Sequence, residues 1–215
     1  MQLESCAQLT NRQEELLNAL LHAMGAILAI IGTWFLLQKA SNSTTLEPII
    51  AAVAYGGSTI FTLAISALYH ATKKGLRRQK MRILDHAAIY VMIAGGYSPI
   101  FLIPLKNYNG ILICSAIWVL ALLGILWKLT PFKKSELLSV TSYLCLGWSG
   151  IFFIEPIIQT IDQNALLLLL AGGMVYSLGT IFYLNDHRKY FHTVWHVLVL
   201  IGASIHYTVV LNYIV

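Results

Sequence analysis

The chain has 215 residues, of which 58% are hydrophobic and only 11% are charged, and its formal net charge is +5. Soluble domains carry about a quarter charged residues, so this composition excludes an ordinary soluble domain and predicts an integral membrane protein that crosses the bilayer several times. A cluster of basic residues at 73–82 also occurs in nucleic-acid-binding proteins. Because this link is short and lies between two apolar runs, we interpret it as a determinant of membrane topology and expect no nucleic-acid partner.

Seven apolar runs each approach the roughly 20 residues that a helix needs to cross a bilayer. They lie near 16–38, 47–71, 83–104, 109–128, 136–156, 165–184 and 191–213. The links between them are short and rich in polar or helix-breaking residues, and none is long enough for a soluble domain. The sequence therefore predicts an all-α fold, with residues 1–215 forming a single integral membrane domain of seven helices.

The basic residues divide unevenly between the two sides of this predicted bundle. All but two of the 14 Lys and Arg residues fall in the N-terminal tail or in the second, fourth and sixth links, a set that includes Lys133 and Lys134. The opposite side carries only Lys39 and Lys106. Because cytoplasmic loops are enriched in Lys and Arg, the pattern predicts a cytoplasmic N-terminus and a C-terminus outside.

Polar and ionisable residues recur near the predicted cytoplasmic ends of four helices. They are Glu15, Asn18 and His22 on the first helix, Ser66 and His70 on the second, Asp85 and His86 on the third, and His192 and His196 on the seventh. Each lies within about two turns of its helix end, at about 5.4 Å per turn, so all share one shallow layer. Ionisable groups at membrane depth are costly and usually face a bundle interior or a wet cavity. We therefore expect a functional site in this layer.

The spacing of the histidines predicts a metal site. His192 and His196 are separated by four residues, which places both imidazoles on one helix face, and His70 offers a third. Helix-end histidines also occur at the membrane interface without a metal, so the third imidazole and the nearby aspartate carry the prediction. A three-histidine set with one open position is the catalytic type of zinc site, and zinc is the default metal for imidazole ligands. We interpret Asp85 as the general base or hydrogen-bond acceptor for the metal's water, and Ser66 as a group that orients His70 or donates to an oxyanion.

The other residues of this layer have simpler interpretations. We interpret Glu15 and Asn18 as supporting residues that cap or brace the site, although the helix dipole also favours an acidic residue such as Glu15 near a helix N-terminus. His22 is interpreted as a packing or hydrogen-bonding residue, and His86 as structural. His206 lies about 15 Å beyond the histidine pair along the last helix, which is too far to share the metal.

Several stretches of this sequence resemble the bacterial hemolysin III proteins, which are relatives of the progestin and adipoQ receptors within a wider group that includes the alkaline ceramidases. The stretches are "EELLNALLHAMG", "SALYHATKKGLRRQKMRILDHAAIYVMIAGGYSP", "YLCLGW", "GGMVYSLGTIFY" and "FHTVWHVLVLIGASIHY". The resemblance covers nearly the whole chain and implies a seven-helix fold with an intramembrane zinc on the cytoplasmic side. The residues that it implies for the site are His70, His192 and His196 as metal ligands, Asp85 and Ser66 beside the metal-bound water, and Glu15 and Asn18 as motif residues of the first helix.

Three functions are compatible with these features. The first is a zinc-dependent hydrolase that cleaves a lipid-like amide or ester. The second is a non-enzymatic membrane-homeostasis or receptor-like protein, in which a structural zinc joins the second and seventh helices. The third, ranked lowest, is a hemolysin that forms pores. The chain begins without the basic region and apolar core of a secretion signal, so we expect a resident protein of the bacterial inner membrane, with membrane lipids around it and a lipid-like substrate or ligand as its partner.

Overall fold

In the computed structural model the chain is helical throughout its described parts, and no β-strand occurs in residues 2–130 or 135–215. The backbone is described over these two ranges and the side chains from residue 12 onward within them. The predicted all-α class is confirmed. Lys133 and Lys134, which contribute to the predicted orientation, lie outside the described residues.

Eight α-helices occupy the described ranges. They are α1 (Gln2–Ala40), α2 (Glu47–Ala71), α3 (Leu76–Leu102), α4 (Gly110–Leu129), α5 (Glu136–Gly147), α6 (Ile154–Thr160), α7 (Gln163–Leu184) and α8 (Phe191–Val209). Short 3₁₀ segments lie at Lys106–Tyr108 and Ser149–Phe153, and a π-helical turn at Val210–Ile214 follows α8. The predicted fifth span, 136–156, is therefore a pair of helices, because the poor helix formers around Gly147 and Gly150 interrupt it.

Six helical segments in the described residues are long and apolar enough to cross a membrane. They are Arg12–Ala40, Glu47–Ala71, Gly110–Leu129, Glu136–Thr160, Gln163–Leu184 and Phe191–Ile214. The predicted third span, 83–104, is not among them. It corresponds to α3, whose first half carries several basic residues and Asp85, so that the apolar part of this helix is shortened. The count of seven spans stays a prediction.

The helices pack so that the last one returns to the first. Neighbouring pairs α1 and α2, α2 and α3, and α3 and α4 are in contact along the chain, while α8 packs against both α7 and α1. This arrangement brings α1, α2 and α8 together at one end of the bundle. The outward faces are apolar, with Leu20 and Ile27 on α1 and Leu112 and Leu123 on α4 all more than half exposed, as expected for surfaces in contact with lipid.

Small residues set how closely α2 approaches its two neighbours. A Cβ atom added to Gly95 on α3 would lie 1.8 Å from the hydroxyl oxygen of Ser58 on α2, and one added to Gly56 on α2 would lie 2.2 Å from the hydroxyl oxygen of Thr33 on α1. Glycines at such contacts allow the helix backbones to approach closely, which is a common way for helices to associate in membranes. These contacts hold α2 between α1 and α3 and thereby position its last turn.

Candidate metal centre

The imidazoles of His70, His192 and His196 meet where the last turn of α2 faces the first turns of α8. One ring nitrogen from each lies within 4.8 Å of those of the other two. His70 and His196 are 5% and 2% exposed, and their Nε2 atoms are 2.9 Å apart. The three histidines that the sequence singles out are thus close together, and this group could hold a metal ion.

Local backbone geometry places these histidines at helix ends. The turn after α2 uses Gly75, whose φ of 144° is unfavourable for residues with a side chain. This glycine lies in the short link between α2 and α3, and His70 lies in the last turn of α2, just before that link. Helix α8 begins after Tyr190, which has a φ of 64°, and its second residue is His192. Because His196 follows four residues later, both rings share one face of α8.

In two of these histidines, the Nδ1 atom contacts a side chain of α1. Nδ1 of His70 lies 2.8 Å from Oε2 of Glu15, and Nδ1 of His196 lies 2.8 Å from Nε2 of His22. Together with the contact between the Nε2 atoms of His70 and His196, these interactions form a chain of hydrogen-bonding groups that starts and ends on α1. Outer partners of this kind fix the orientation and the tautomer of histidines that bind metals.

The third histidine has a looser partner outside α1. Nδ1 of His192 lies 3.8 Å from Oδ2 of Asp186, in the link before α8. The side chain of His192 is 21% exposed and that of Asp186 is 46% exposed, so this pair lies at the rim of the site. In all three rings Nδ1 faces an outer partner, which makes Nε2 the nitrogen available to a metal.

One face of α1 contacts both helices that carry the histidines. Glu15, Asn18 and His22 are three and four residues apart, and this spacing aligns their side chains along the helix. Asn18 accepts a hydrogen bond of 2.6 Å from the hydroxyl of Thr193, which lies beside His192 on α8. The regular spacing of these three residues in the sequence indicates that His22 lies on the same helix face as Glu15 and Asn18. Only the tertiary structure shows that the partner of His22 is His196.

The two residues predicted to act on the metal's water lie beside the histidine cluster. Ser66 is 2% exposed and lies one turn before His70. Asp85 interacts with the Ser66 side chain and, at longer range, with His70. Oδ2 of Asp85 also lies 3.5 Å from Nδ1 of His86, whose Nε2 is 2.8 Å from the Tyr183 hydroxyl. Asp85 is therefore adjacent to the close group of three nitrogens and is not one of its members.

A cavity of about 160 Å³ lies against the cluster. Its lining residues are Glu14, Glu15, Asn18, Tyr69, His70, Asp186 and His192. Three of these side chains are carboxylates, and within the described part of the chain the lining contains no lysine or arginine. Sequence reasoning did not single out Glu14 or Asp186, because each lies among other polar residues near the end of a helix.

The chemistry of the donor set fits a zinc ion. Tetrahedral zinc with Zn–N bonds of about 2.0–2.1 Å holds its nitrogen ligands about 3.3 Å apart. The Nε2 atoms of His70 and His196 are already 2.9 Å apart, so the rings would need to separate by only a few tenths of an ångström. The neutral imidazole is the ligand form that zinc requires, and the burial of the cluster together with the Nδ1 partners restricts ring rotation.

The chain is similar to known proteins over nearly its whole length. A family model described as "Haemolysin-III related" matches residues 10–207, a range that contains every residue of the candidate site. Hemolysin-3 of Bacillus cereus is 36% identical over 202 residues, which cover 94% of this chain and 92% of that protein. The Hemolysin-3 homolog of Bacillus subtilis (strain 168) is 36% identical over 203 residues, covering 94% and 95%. Monocyte to macrophage differentiation factor of Homo sapiens is 27% identical over 211 residues, covering 94% and 84%.

Proposed function

Because the chain belongs to the haemolysin-III-related family and is a multi-pass membrane protein, we propose that it is a zinc-dependent hydrolase that cleaves an amide or ester bond of a lipid-like substrate. The observation that carries this proposal is the convergence of three imidazoles beside a cavity at one end of an apolar bundle. Metal sites in which all positions are occupied by protein are usually structural, whereas three protein ligands and an accessible side are typical of catalytic zinc.

His70, His192 and His196 would hold the ion through Nε2. When bound in this way, zinc acts as a Lewis acid that activates water and polarises a carbonyl group. Asp85 would accept the proton of the attacking water and later return it to the leaving group, in the manner of a general base and acid. Ser66 would donate a hydrogen bond to the carbonyl oxygen as negative charge develops on it.

The lining of the cavity favours a head group without negative charge. Glu14 and Asp186 contribute carboxylates to the lining, whereas the charge of Glu15 is paired with the guanidinium group of a nearby arginine. The other two carboxylates would repel a phosphate or carboxylate at short range. An uncharged amide or ester carries no such penalty. The exposed apolar faces of the neighbouring helices would accommodate an acyl chain in the bilayer while the polar part of the substrate enters the cavity.

We also propose that α3 completes a bundle of seven membrane-spanning helices. Support comes from its position, because α3 packs between α2 and α4, and both of these helices are candidate spans. The excess of basic residues near the histidine-bearing end would place this end and the N-terminus at the cytoplasmic side. The expected location is then the cytoplasmic membrane of a bacterial cell, with the metal centre close to its inner surface.

Metal analysis of the purified protein is the first test. We expect about one zinc per chain in the wild type, and a near-complete loss in His70→Ala, which removes a ligand. His187→Ala is the matched control, because His187 is exposed and lies outside the close group of three nitrogens. A metal content below about 0.2 per chain in both wild type and control would contradict the proposal, since sites of this kind bind tightly.

Hydrolysis of lipid amides and esters by the zinc-loaded protein is the second test. Asp85→Asn should keep the metal but lower kcat by about 10²–10⁴-fold, because the general base is lost. If the wild type binds zinc but cleaves no member of a broad panel of lipid amides and esters, the hydrolase function is wrong.

A structural zinc is the alternative function, and it is favoured by the placement of the ligands on two separate helices, α2 and α8. This alternative predicts a different experimental result. In that case removal of zinc should lower the melting temperature, while no hydrolysis occurs at any zinc concentration.

A pore-forming function instead predicts dye leakage from vesicles that rises with protein dose. The names of the two Bacillus relatives are the reason to include this assay.

A further inference from the structure

We propose that Arg78 is a positioning residue of the metal centre, which aligns Glu15 and through it His70. This inference rests on the proposed function, because it assigns Arg78 to the surroundings of the same metal site. In the sequence, Arg78 is one of several basic residues in the segment 73–82 and has no feature that separates it from its neighbours. Its contacts in the structure do separate it.

The guanidinium group of Arg78 bonds to two helices at once. Nη2 lies 2.5 Å from Oε1 of Glu15 on α1, while the other carboxylate oxygen of Glu15 lies 2.8 Å from Nδ1 of His70 on α2. Both oxygens of one carboxylate are therefore used, one for the arginine and one for the ligand candidate. The Arg78 side chain is only 16% exposed and that of Glu15 is 28% exposed, so solvent screens this pair less than it screens a surface ion pair.

The second terminal nitrogen of Arg78 binds the end of α2. Nη1 donates to the carbonyl oxygen of Thr72 at 2.8 Å and to that of Tyr69 at 3.4 Å. The last carbonyl groups of a helix have no intrahelical donor and need other partners, and a basic side chain there also interacts favourably with the helix dipole. Because His70 lies in this last turn, the same bonds hold the backbone that carries it.

Arg78 also stacks on an aromatic ring of α2. The guanidinium carbon of Arg78 lies 4.5 Å from the centre of the Tyr69 ring, and the Tyr69 ring centre lies 4.6 Å from that of His70. Arginine is suited to this position because its planar group can pair with a carboxylate, donate to carbonyl groups and stack on an aromatic ring at the same time. A lysine at this position could supply a positive charge beside Glu15, but it could not make all three kinds of contact at once.

Neighbouring basic residues supply matched controls. Arg77 precedes Arg78 directly and is exposed, and Arg82, one turn later, pairs at 2.5 Å with Glu136 of α5, away from the histidines. Loss of either removes the same charge from the same helix and leaves the contacts of Glu15 with His70 in place. A general effect of positive charge near the membrane surface would therefore appear in all three variants, whereas a positioning effect would appear only in Arg78 variants.

The experiment measures the zinc dissociation constant of the full-length protein in detergent by competition with a chelator, and the visible spectrum of the Co²⁺-substituted protein. We expect Arg78→Ala to weaken zinc binding about 10-fold, the lower end of effects for residues that orient ligands, and to change the Co²⁺ spectrum. Arg77→Ala should match the wild type in both, and Arg78→Lys should recover only part of the affinity. In a Glu15→Gln background, Arg78→Ala should weaken zinc binding less than it does in the wild type, because the part of its effect that acts through the Glu15 carboxylate is already lost. Only the contacts of Arg78 with the end of α2 and with the Tyr69 ring then remain to be removed.

Equal zinc affinity and equal Co²⁺ spectra in Arg78→Ala and Arg77→Ala would overturn the inference while leaving the proposed metal centre intact. The inference would also be overturned if Arg78→Ala weakened zinc binding as much in the Glu15→Gln background as in the wild type. If the wild type binds neither metal, the proposed function fails and the inference fails with it. If Arg78→Ala does not fold, Arg78→Lys and Arg82→Ala provide the comparison, and full affinity in Arg78→Lys would contradict the specific requirement for a guanidinium group.

Discussion

Two histidines on α8 illustrate how differently the same residue can be used in one membrane helix. His196 is 2% exposed and lies within 2.9 Å of two other imidazoles, one from α1 and one from α2. His206 is half-buried, and its Nε2 donates to the carbonyl oxygen of Leu169 on α7 at 3.3 Å. The difference shows that a polar residue in an apolar helix indicates a site only where side chains from several helices converge.

The largest expected difference between the two regions is in metal binding. His196→Ala should reduce zinc from about one per chain to nearly none, because it removes a ligand. His206→Ala should keep the zinc and lower the free energy of unfolding by about 1–2 kcal/mol, through the loss of a hydrogen bond and of packing. Elemental analysis and thermal melts of the two purified variants check this, and loss of zinc from His206→Ala would remove the distinction.

A smaller effect is expected from the outer partner of His196. His22→Ala removes the group that holds Nδ1 of His196 at 2.8 Å, so the ring can rotate and its tautomer is no longer selected. We expect zinc to bind about 10–100-fold more weakly, as is typical for the loss of such partners. Chelator competition measures the change, and an affinity equal to that of the wild type would mean that His22 only fills space.

The region around His206 can be disturbed without touching the metal centre. A Cβ atom added to Gly172 on α7 would lie 2.3 Å from Cδ2 of His206, so Gly172→Ala must displace the ring. We expect a loss of about 1–3 kcal/mol from overpacking, with zinc content unchanged. Gly96→Ala is the matched control, because a Cβ atom there meets nothing within 4 Å. Equal melting temperatures in the two variants would contradict the close contact.

The smallest effect is expected from the loss of the hydrogen bond between Asn18 of α1 and Thr193 of α8. Asn18→Ala removes the hydrogen bond from Thr193 and should destabilise the protein by about 1 kcal/mol, with less change in zinc affinity than His22→Ala gives. Thr193→Val removes the same bond from the other side. The double variant should therefore be no less stable than the less stable of the two single variants, and additive losses would show that the two side chains act separately.

Helical periodicity in the sequence was enough to place much of the candidate site. The spacing of His192 and His196 puts them on one face whatever surrounds α8, and the regular interval from Glu15 to His22 does the same on α1. The contacts of Arg78 were not predictable in this way, because Arg77 and Arg78 are identical neighbours that differ only in the direction they face. The interruption of the fifth predicted span near Gly147 was also missed, since the hydrophobicity of 136–156 continues across it.

Composition and the alternation of apolar runs with polar links assign this protein to the helical membrane class, because burial of apolar surface in lipid depends on sums over many residues and needs no knowledge of their partners. The site depends on partners. His70 and His196 are far apart in the chain, and they meet because α8 returns to pack against α1 beside α2. Contacts between helices distant in sequence depend on shape complementarity along whole helix faces. At Gly25 and Gly32 of α1, for example, an added Cβ atom would meet side chains of α8, and such complementarity exists only in the folded chain.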